Sequence, residues 1–326
     1  MTASIVKQLQ DIERNGGDGE LVFGRGKALN VSSLDKVFFP ETGFTKGEVM
    51  QYYATVAPAL LPAIKDRPMI LKRYPDGIGG SSFYQQNAGA HVPDDVRVGT
   101  VGSATRLIAG DLLTLLYTVQ IGTIAVHTWQ ARLQTRQYAD TTTLDLDPGD
   151  DVSFADVVVL AKLIKDELDK VGLKGAIKTS GASGLHIALP LPPKTAHGVA
   201  ALVAVRIAER VSEAHPDRAT VERTIKNRPA GTIYVDAYQN AEGKSVVAAY
   251  SVRERPKASV SAPLDWKELR RTLRIESFTI KTMPARLRRV GDLWGAALKR
   301  RNTQRAIDRV LDEGKPRRGA SRRRGA

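Results

Sequence analysis

Within the segment TTTLDLDPGDD, Asp145 and Asp147 stand two residues apart on a β-branched and apolar run. Side chains alternate along a strand, so both carboxylates leave one face while Leu144 and Leu146 turn to the core. Two carboxylates roughly 7 Å apart along one strand repel each other unless a cation lies between them. Hard oxygen ligands of this kind suit Mg2+ or Mn2+. The pair alone is also found in sugar-nucleotide transferases, phosphatases and plain surface strands. A third carboxylate, Asp236, ends the run IYVDAYQN, where a lone Asp is usually a turn former. If its strand neighbours the first, the carboxylates converge, and a site for two ions about 3.5–4 Å apart becomes possible. One metal would then activate the 3'-hydroxyl of a primer and both would brace a triphosphate, with no protein nucleophile required.

A second segment, KTSGASGLHIALPL, joins Lys178, small polar residues and two glycines to a run carrying His186. Glycines let backbone N–H groups approach an anion, and Ser180 and His186 add side-chain donors, so this turn could cradle a triphosphate. Taken alone, it reads more readily as a plain β-hairpin with a buried histidine.

The elements that must position these groups follow from periodicity and caps. Thr45-Lys46-Gly47-Glu48 matches a capping box and predicts a helix over 45–57, where Pro58 follows. Strands are predicted over 69–72, 123–127, 141–147, 176–179, 185–189, 232–237 and 245–250. Helices are predicted over 111–121, from a Ser153 cap to 171, and over 196–214. Residues 1–25 are polar and glycine-rich and read as a flexible lead-in without chemistry. Residues 315–326, KPRRGASRRRGA, hold basic residues and no acidic ones and read as a disordered basic tail. The mixture argues for an α/β or α+β domain.

Composition narrows the partner. The 326 residues include 49 Lys and Arg against 35 Asp and Glu, a net charge of +14, which favours a polyanion such as nucleic acid. The longest apolar candidate, 112–126, is interrupted by Thr114, Thr118, Gln120, Gly122 and Thr123, short of the roughly 20 residues of a membrane span. No membrane partner is therefore expected. With no cysteine, disulfides, thiolate nucleophiles and Cys-ligated metals are excluded, so any metal sits on oxygen or imidazole. The N-terminus lacks an apolar signal core, and a cytoplasmic, nucleoid-associated location is expected.

In order, Asp-x-Asp, Ser-Gly-x-x-Gly-x-His and a hydrophobic run ending in Asp resemble the motif series of archaeo-eukaryotic primase-polymerases. More closely, the chain is similar to the polymerase domain of bacterial DNA ligase D over about residues 26–295. The resemblance is carried by the segments VFFPETGFTKGEVMQYYATVAPALLPAIKDRPMILKRYPDGI, LDLDPGDD, KTSGASGLHIALPL, VDAYQN and YSVRERPKASVSAPLDW. It implies the fold of that superfamily, mixed or antiparallel sheets flanked by helices. It further implies end-repair polymerase activity: nucleotidyl transfer onto a primer 3'-hydroxyl, gap filling and terminal addition, with a preference for ribonucleotides. Residues 296–326 then form a C-terminal helix and the basic tail.

Position by position, the resemblance makes Asp145, Asp147 and Asp236 ligands for two Mn2+ or Mg2+ ions. Ser180, His186 and Arg253 match contacts to the phosphates of an incoming NTP or dNTP, a role the planar guanidinium fork suits. Gln239 and His127 match groups near the nucleotide. Lys36 and Lys46 match lysines that recognise a 5'-phosphate across a DNA gap, Lys46 lying where helix N–H groups also attract phosphate. Phe83 and Tyr84 match aromatic residues that stack on template bases. Partners so implied are DNA ends and gaps, the end-binding Ku protein and a DNA ligase.

The chain departs from the family in places. Ser183 stands where the turn commonly carries Lys, which leaves Arg253 and Lys178 as the compensating nucleotide-binding cations. The basic element before the third carboxylate, usually Arg-x-Gly, reads Arg228-Pro229-Ala230-Gly231, and Gln86 replaces a common lysine. No KxDG-type ligase motif or phosphoesterase motif is recognisable, which implies a free-standing polymerase domain. Two other readings stay open: a nucleic-acid-binding module that has lost turnover, and an unrelated Asp-x-Asp transferase.

Overall fold

The structure, a computed structural model, describes residues 2–312. The basic tail at 315–326 lies outside the described residues.

The capping box at Thr45 forms as its residues dictate. Thr45 Oγ1 accepts the Glu48 N–H at 3.0 Å, and the Glu48 carboxylate accepts the Thr45 N–H at 2.9 Å. The helix it opens runs Lys46–Ile64, past the expected stop, with Pro58 and Pro62 inside it. Each proline costs a backbone hydrogen bond, but both sit on the exposed side while Val56, Ala57, Leu60 and Ile64 are buried. Burial of the inner face outweighs the breaks.

From Thr2 onward the expected lead-in is ordered structure. Thr2–Arg14 is a helix whose Ile5 and Leu9 are fully buried, followed by a hairpin of Gly19–Gly24 and Lys27–Val31. A two-residue apolar seam is too narrow to stand out among polar neighbours, yet it docks the helix on Lys46–Ile64.

The remaining strands form two main sheets. One is six-stranded, in the order Ala219–Thr220, Ile233–Asp236, Thr141–Pro148, Leu185–Pro190, Ala176–Thr179, Pro263–Leu264. All its pairs are antiparallel except the first, which is parallel. The other is four-stranded and antiparallel, in the order Ser245–Val247, Thr123–Trp129, Met69–Arg73, Phe83–Gln85. Helices Phe154–Val171 and His197–Ala214 pack against the six-stranded sheet, and Leu112–Gln120 packs against the four-stranded one and Lys46–Ile64. This is the mixed α/β architecture with antiparallel sheets that the sequence leads one to expect. No helix among the described residues is long and apolar enough to cross a membrane.

Candidate functional site

Asp145 and Asp147 lie on Thr141–Pro148, the inner strand that separates Ile233–Asp236 from Leu185–Pro190. The antiparallel register pairs Asp145 with Asp236 on one side and with His186 on the other. Residues directly opposite in such a pair put their side chains on the same face. The third carboxylate therefore stands beside the first two, and the histidine completes the row. Leu144 and Leu146, pointing the other way, are fully buried.

This face floors a cleft of about 460 Å3 between the two sheets. Asp145, Asp147, Ser180, His186, Gln239 and Arg253 line it from the six-stranded side and the loops that follow, and Tyr84 and His127 line it from the other sheet. The cleft thus gathers all the expected metal and nucleotide residues except Asp236, the neighbour of Asp145, and Lys178.

Each carboxylate has a protein partner. Asp145 Oδ1 lies 3.2 Å from His186 Nε2, Asp147 Oδ2 lies 3.3 Å from Arg228 Nη1, and Asp236 Oδ1 accepts the Tyr238 N–H at 2.7 Å. Burial pushes the Asp145 carboxyl up, but His186, Lys178 and Arg253 outweigh it and hold it below the usual carboxylate range. Asp147 goes the opposite way, raised by burial and by repulsion from Asp145 and Asp236 despite Arg228. Such crowding of oxygen donors is what a hard divalent cation relieves, so the residues fit a Mn2+ or Mg2+ site. As the side chains stand, no three His, Asp or Glu groups among the described residues close into a ready-made ion cage.

Arg228, whose role the sequence left open, is placed by the structure on Asp147. Its guanidinium also stacks 4.0 Å from the centre of the Tyr234 ring, and its side chain is only 14% exposed.

The turn 180–184 closes on itself. Ser180 Oγ accepts the N–H groups of Ala182 at 3.1 Å and Gly184 at 3.0 Å, so these donors are not free to cradle an anion. What Ser180 offers a ligand is its own hydroxyl proton. Gly184 is required by packing: a Cβ there would lie 1.9 Å from the Leu146 carbonyl oxygen. Gly181 takes φ +73°, and a Cβ would meet Arg253 at 2.6 Å. Arg253 Nη1 donates to the Ser180 carbonyl at 2.7 Å and its Nε lies 3.3 Å from Glu254, which fixes the guanidinium at the cleft wall.

Lys178 does not line the cleft as a nucleotide-binding cation would. It is 1% exposed, and its amine is turned toward His186 and Ser261. The cation nearer the missing turn lysine is Arg255, which lines the cleft together with Ser183 and which sequence reasoning passed over within YSVRERP. Also missed was Asn240. Its buried amide accepts the Thr143 N–H at 2.7 Å and donates to the Thr143 carbonyl at 2.9 Å, pinning the turn that carries Gln239 to the carboxylate strand.

His127 sits on the opposing wall, where burial, reinforced by Arg253, pushes its imidazole down to about 4. It is neutral at physiological pH. Phe83 and Tyr84 are both exposed but alternate along a strand, so they leave opposite faces. Tyr84 lines the cleft; Phe83 packs under the Arg73 guanidinium, 5.2 Å from its ring centre.

Lys36 and Lys46 do not line this cleft; they are held together because the Lys46 N–H donates to the Lys36 carbonyl at 2.8 Å. Lys46 is buried and its amine donates to the Ser32 carbonyl at 2.8 Å; burial and the Lys36 charge push it down to about 8. The Lys36 amine pairs with Asp76 at 2.9 Å. The first N–H groups of the helix are already used, by the Lys36 and Leu34 carbonyls and by Thr45 Oγ1. The two amines, not the helix end, are the donors available there.

Comparison with known proteins gives a concordant result. The sequence model of the LigD primase-polymerase domain matches residues 45–294. The Bifunctional non-homologous end joining protein LigD of Bacillus subtilis (strain 168) is 34% identical over 264 residues, covering 81% of this chain and 43% of that protein. The Multifunctional non-homologous end joining DNA repair protein LigD of Mycobacterium tuberculosis is 33% identical over 253 residues, 74% of this chain and 33% of that protein. Each relative is more than twice as long as the part this chain matches. Among solved structures, the polymerase domain from Mycobacterium tuberculosis ligase D in complex with DNA is similar with a TM-score of 0.78 and 31% identity, covering 84% of this chain and 99% of that one.

Proposed function

Since the chain belongs to the LigD primase-polymerase domain family, we propose that it is a nucleotidyltransferase that extends DNA 3'-ends during non-homologous end joining. The observation that carries this reading is the register that sets Asp145 opposite Asp236, with Asp147 two residues on and the same face turned to a cleft.

In the proposed reaction a primer 3'-hydroxyl gives its proton to solvent water, its oxygen bonds the α-phosphorus of an NTP or dNTP, and the bond from that phosphorus to the oxygen bridging the β-phosphorus breaks to release pyrophosphate. Asp145, Asp147 and Asp236 would hold two Mn2+ or Mg2+ ions, which when bound stabilise the hydroxyl as alkoxide and neutralise the phosphates. Arg253, held by Ser180 and Glu254, presents a preorganised fork to phosphate oxygens. Ser180 contributes its hydroxyl proton and His186 an N–H. Arg255 supplies the cation that Ser183 does not. Tyr84 and Gln239 border the space where base and sugar lie, and neutral His127 offers a hydrogen bond without adding charge.

Around this core, Lys36 and Lys46 recognise a 5'-phosphate across a gap, and Ku and a DNA ligase act with the protein at breaks in the nucleoid. Gap filling, terminal addition and a ribonucleotide preference belong to the same proposal. One observation favours a second reading, a DNA-binding module without turnover: every carboxylate already has a protein partner. Primer extension with Mn2+ and labelled nucleotides decides between them. Extension by the parent protein and none by an Asp145→Ala, Asp147→Ala variant establishes the enzyme; DNA binding without extension by either establishes the module.

A further inference from the structure

At the opposite end of the strand Thr141–Pro148 from Asp147 lies a second cavity, of about 350 Å3, with Thr141 in its wall. Thr141 and Asp147 are roughly 20 Å apart at the rise of a strand, and the cavity shares no lining residue with the carboxylate cleft. Its walls carry Arg67, Arg132, Lys299 and Arg301 against a lone carboxylate, Asp140. The fold fixes the first two cations. Arg67, its side chain 7% exposed, donates to the Ala63 carbonyl at 3.1 Å, to the Trp129 carbonyl at 3.2 Å and to Asp140 Oδ2 at 2.7 Å. Arg132 donates from Nε to the same Asp140 oxygen at 3.2 Å and from Nη1 to the Lys65 carbonyl at 2.7 Å. One carboxylate oxygen thus answers two guanidinium groups. Burial, together with the charges of Arg132 and Arg301, pushes the Arg67 guanidinium down to about 10 against the pull of Asp140; it stays protonated at neutral pH.

We propose that this cavity is a second anion site, which binds a phosphate group between the Lys299 and Arg301 side chains and the wall fixed by Arg67 and Arg132. The surplus of cations carries the inference. Closing the end of helix Lys46–Ile64 accounts for Arg67 and Arg132, which take the Ala63 and Lys65 carbonyls. It leaves the other two unexplained: the Lys299 and Arg301 side chains are exposed and have no hydrogen-bond or ion-pair partner among the described residues. Arg132 Nη2 is equally without a partner there. Several cations around one hollow call for a ligand with more than one charge or several acceptor oxygens, and phosphate has the oxygens that match guanidinium forks. The DNA backbone and a free phosphate ion present the same chemistry.

Binding can be read without turnover, so the proposal stands or falls apart from the polymerase reading. Isothermal titration of the full chain with inorganic phosphate, without divalent metal, is compared with the same titration of a Lys299→Ala, Arg301→Ala variant; any phosphate held in the carboxylate cleft is common to both. Neither side chain has a partner to lose, so the variant should keep the parent fold, and Lys299→Gln, Arg301→Gln replaces it if it does not. Phosphate affinity should fall about tenfold or more, the weight of one charge-assisted hydrogen bond. If the bound group belongs to DNA, the variant's affinity for a DNA duplex should also depend less on salt, with a log–log slope shallower by about 0.9 for each phosphate contact removed. A shallower slope assigns the site to the DNA backbone; weaker phosphate binding at an unchanged slope assigns it to the free ion. Coincident titrations together with coincident slopes overturn the proposal.

Discussion

Arg228 sits with its guanidinium 3.3 Å from the Asp147 carboxylate, where it answers part of the charge of the carboxylate cluster. Held against Tyr234, it acts as a built-in counterion for a crowded acidic face. Removing it by Arg228→Ala should lower the stability of the metal-free protein by no more than about 1 kcal/mol, because Asp147 is half-exposed and solvent screens the pair. Thermal melts with and without Mn2+ check this: the stabilisation by metal should be larger in the variant than in the parent.

Asp147→Asn separates folding from catalysis. Deleting one charge from a mutually repelling set should raise the melting temperature of the metal-free protein at neutral pH. Primer extension should fall by more than the roughly 10–100-fold typical of residues that only support a ligand. A variant that extends primers at the parent rate would show that Asp147 holds no essential ion.

The proposed 5'-phosphate site should respond to pH through Lys46. Its amine, at about 8 where lysine is ordinarily near 10.5, is charged below that pH and loses its charge above it. Preference for gapped DNA bearing a 5'-phosphate over a 5'-hydroxyl should therefore decline as pH rises through about 8. Lys46→Arg, which stays charged, should flatten the profile. For folding the sign is reversed: a buried ammonium is a burden below pH 8 that is relieved as the pH climbs toward lysine's ordinary range.

The altered phosphate turn gives a gain and a loss to measure. Ser183→Lys should lower the nucleotide KM and Arg255→Ala should raise it, each roughly tenfold, the low end for one charge-assisted hydrogen bond. Unchanged KM in Arg255→Ala would remove that arginine from the triphosphate site.

Gly184→Ala tests the packing that seats the turn. A methyl group 1.9 Å from the Leu146 carbonyl oxygen must push two strands apart. The cost should reach about 1–3 kcal/mol or more, seen in denaturant unfolding, together with loss of activity as His186 and Asp145 leave register.

Much of the site was legible because its information is local. Period-two alternation put Asp145 and Asp147 on one face, Thr45 and Ser153 announced their helices, and motif order brought in Asp236. Where reasoning failed, the deciding interaction was distant along the chain. Lys178 reads as a phosphate-binding cation until Ser261, 83 residues away, is seen to hold it below the floor. Arg228 acquires a partner only when strand pairing brings Asp147 to it. Asn240 carries no local signal of its role, since its amide bonds both backbone groups of Thr143, 97 residues earlier. The helix Lys46–Ile64 continued through two prolines because its inner face was worth burying, a quantity no single-position preference records.

The path of the chain between the two sheets has its own consequence. It builds most of one wall of the cleft by Trp129, crosses to form most of the other through Asp236, returns to add Ser245–Val247 to the first sheet, and crosses again to lay Pro263–Leu264 on the second. No single cut divides the polypeptide into two pieces that each keep a whole wall. Fragment complementation should fail where the intact unit succeeds, and any transplant of this activity into another protein must carry all three crossings as one indivisible cassette.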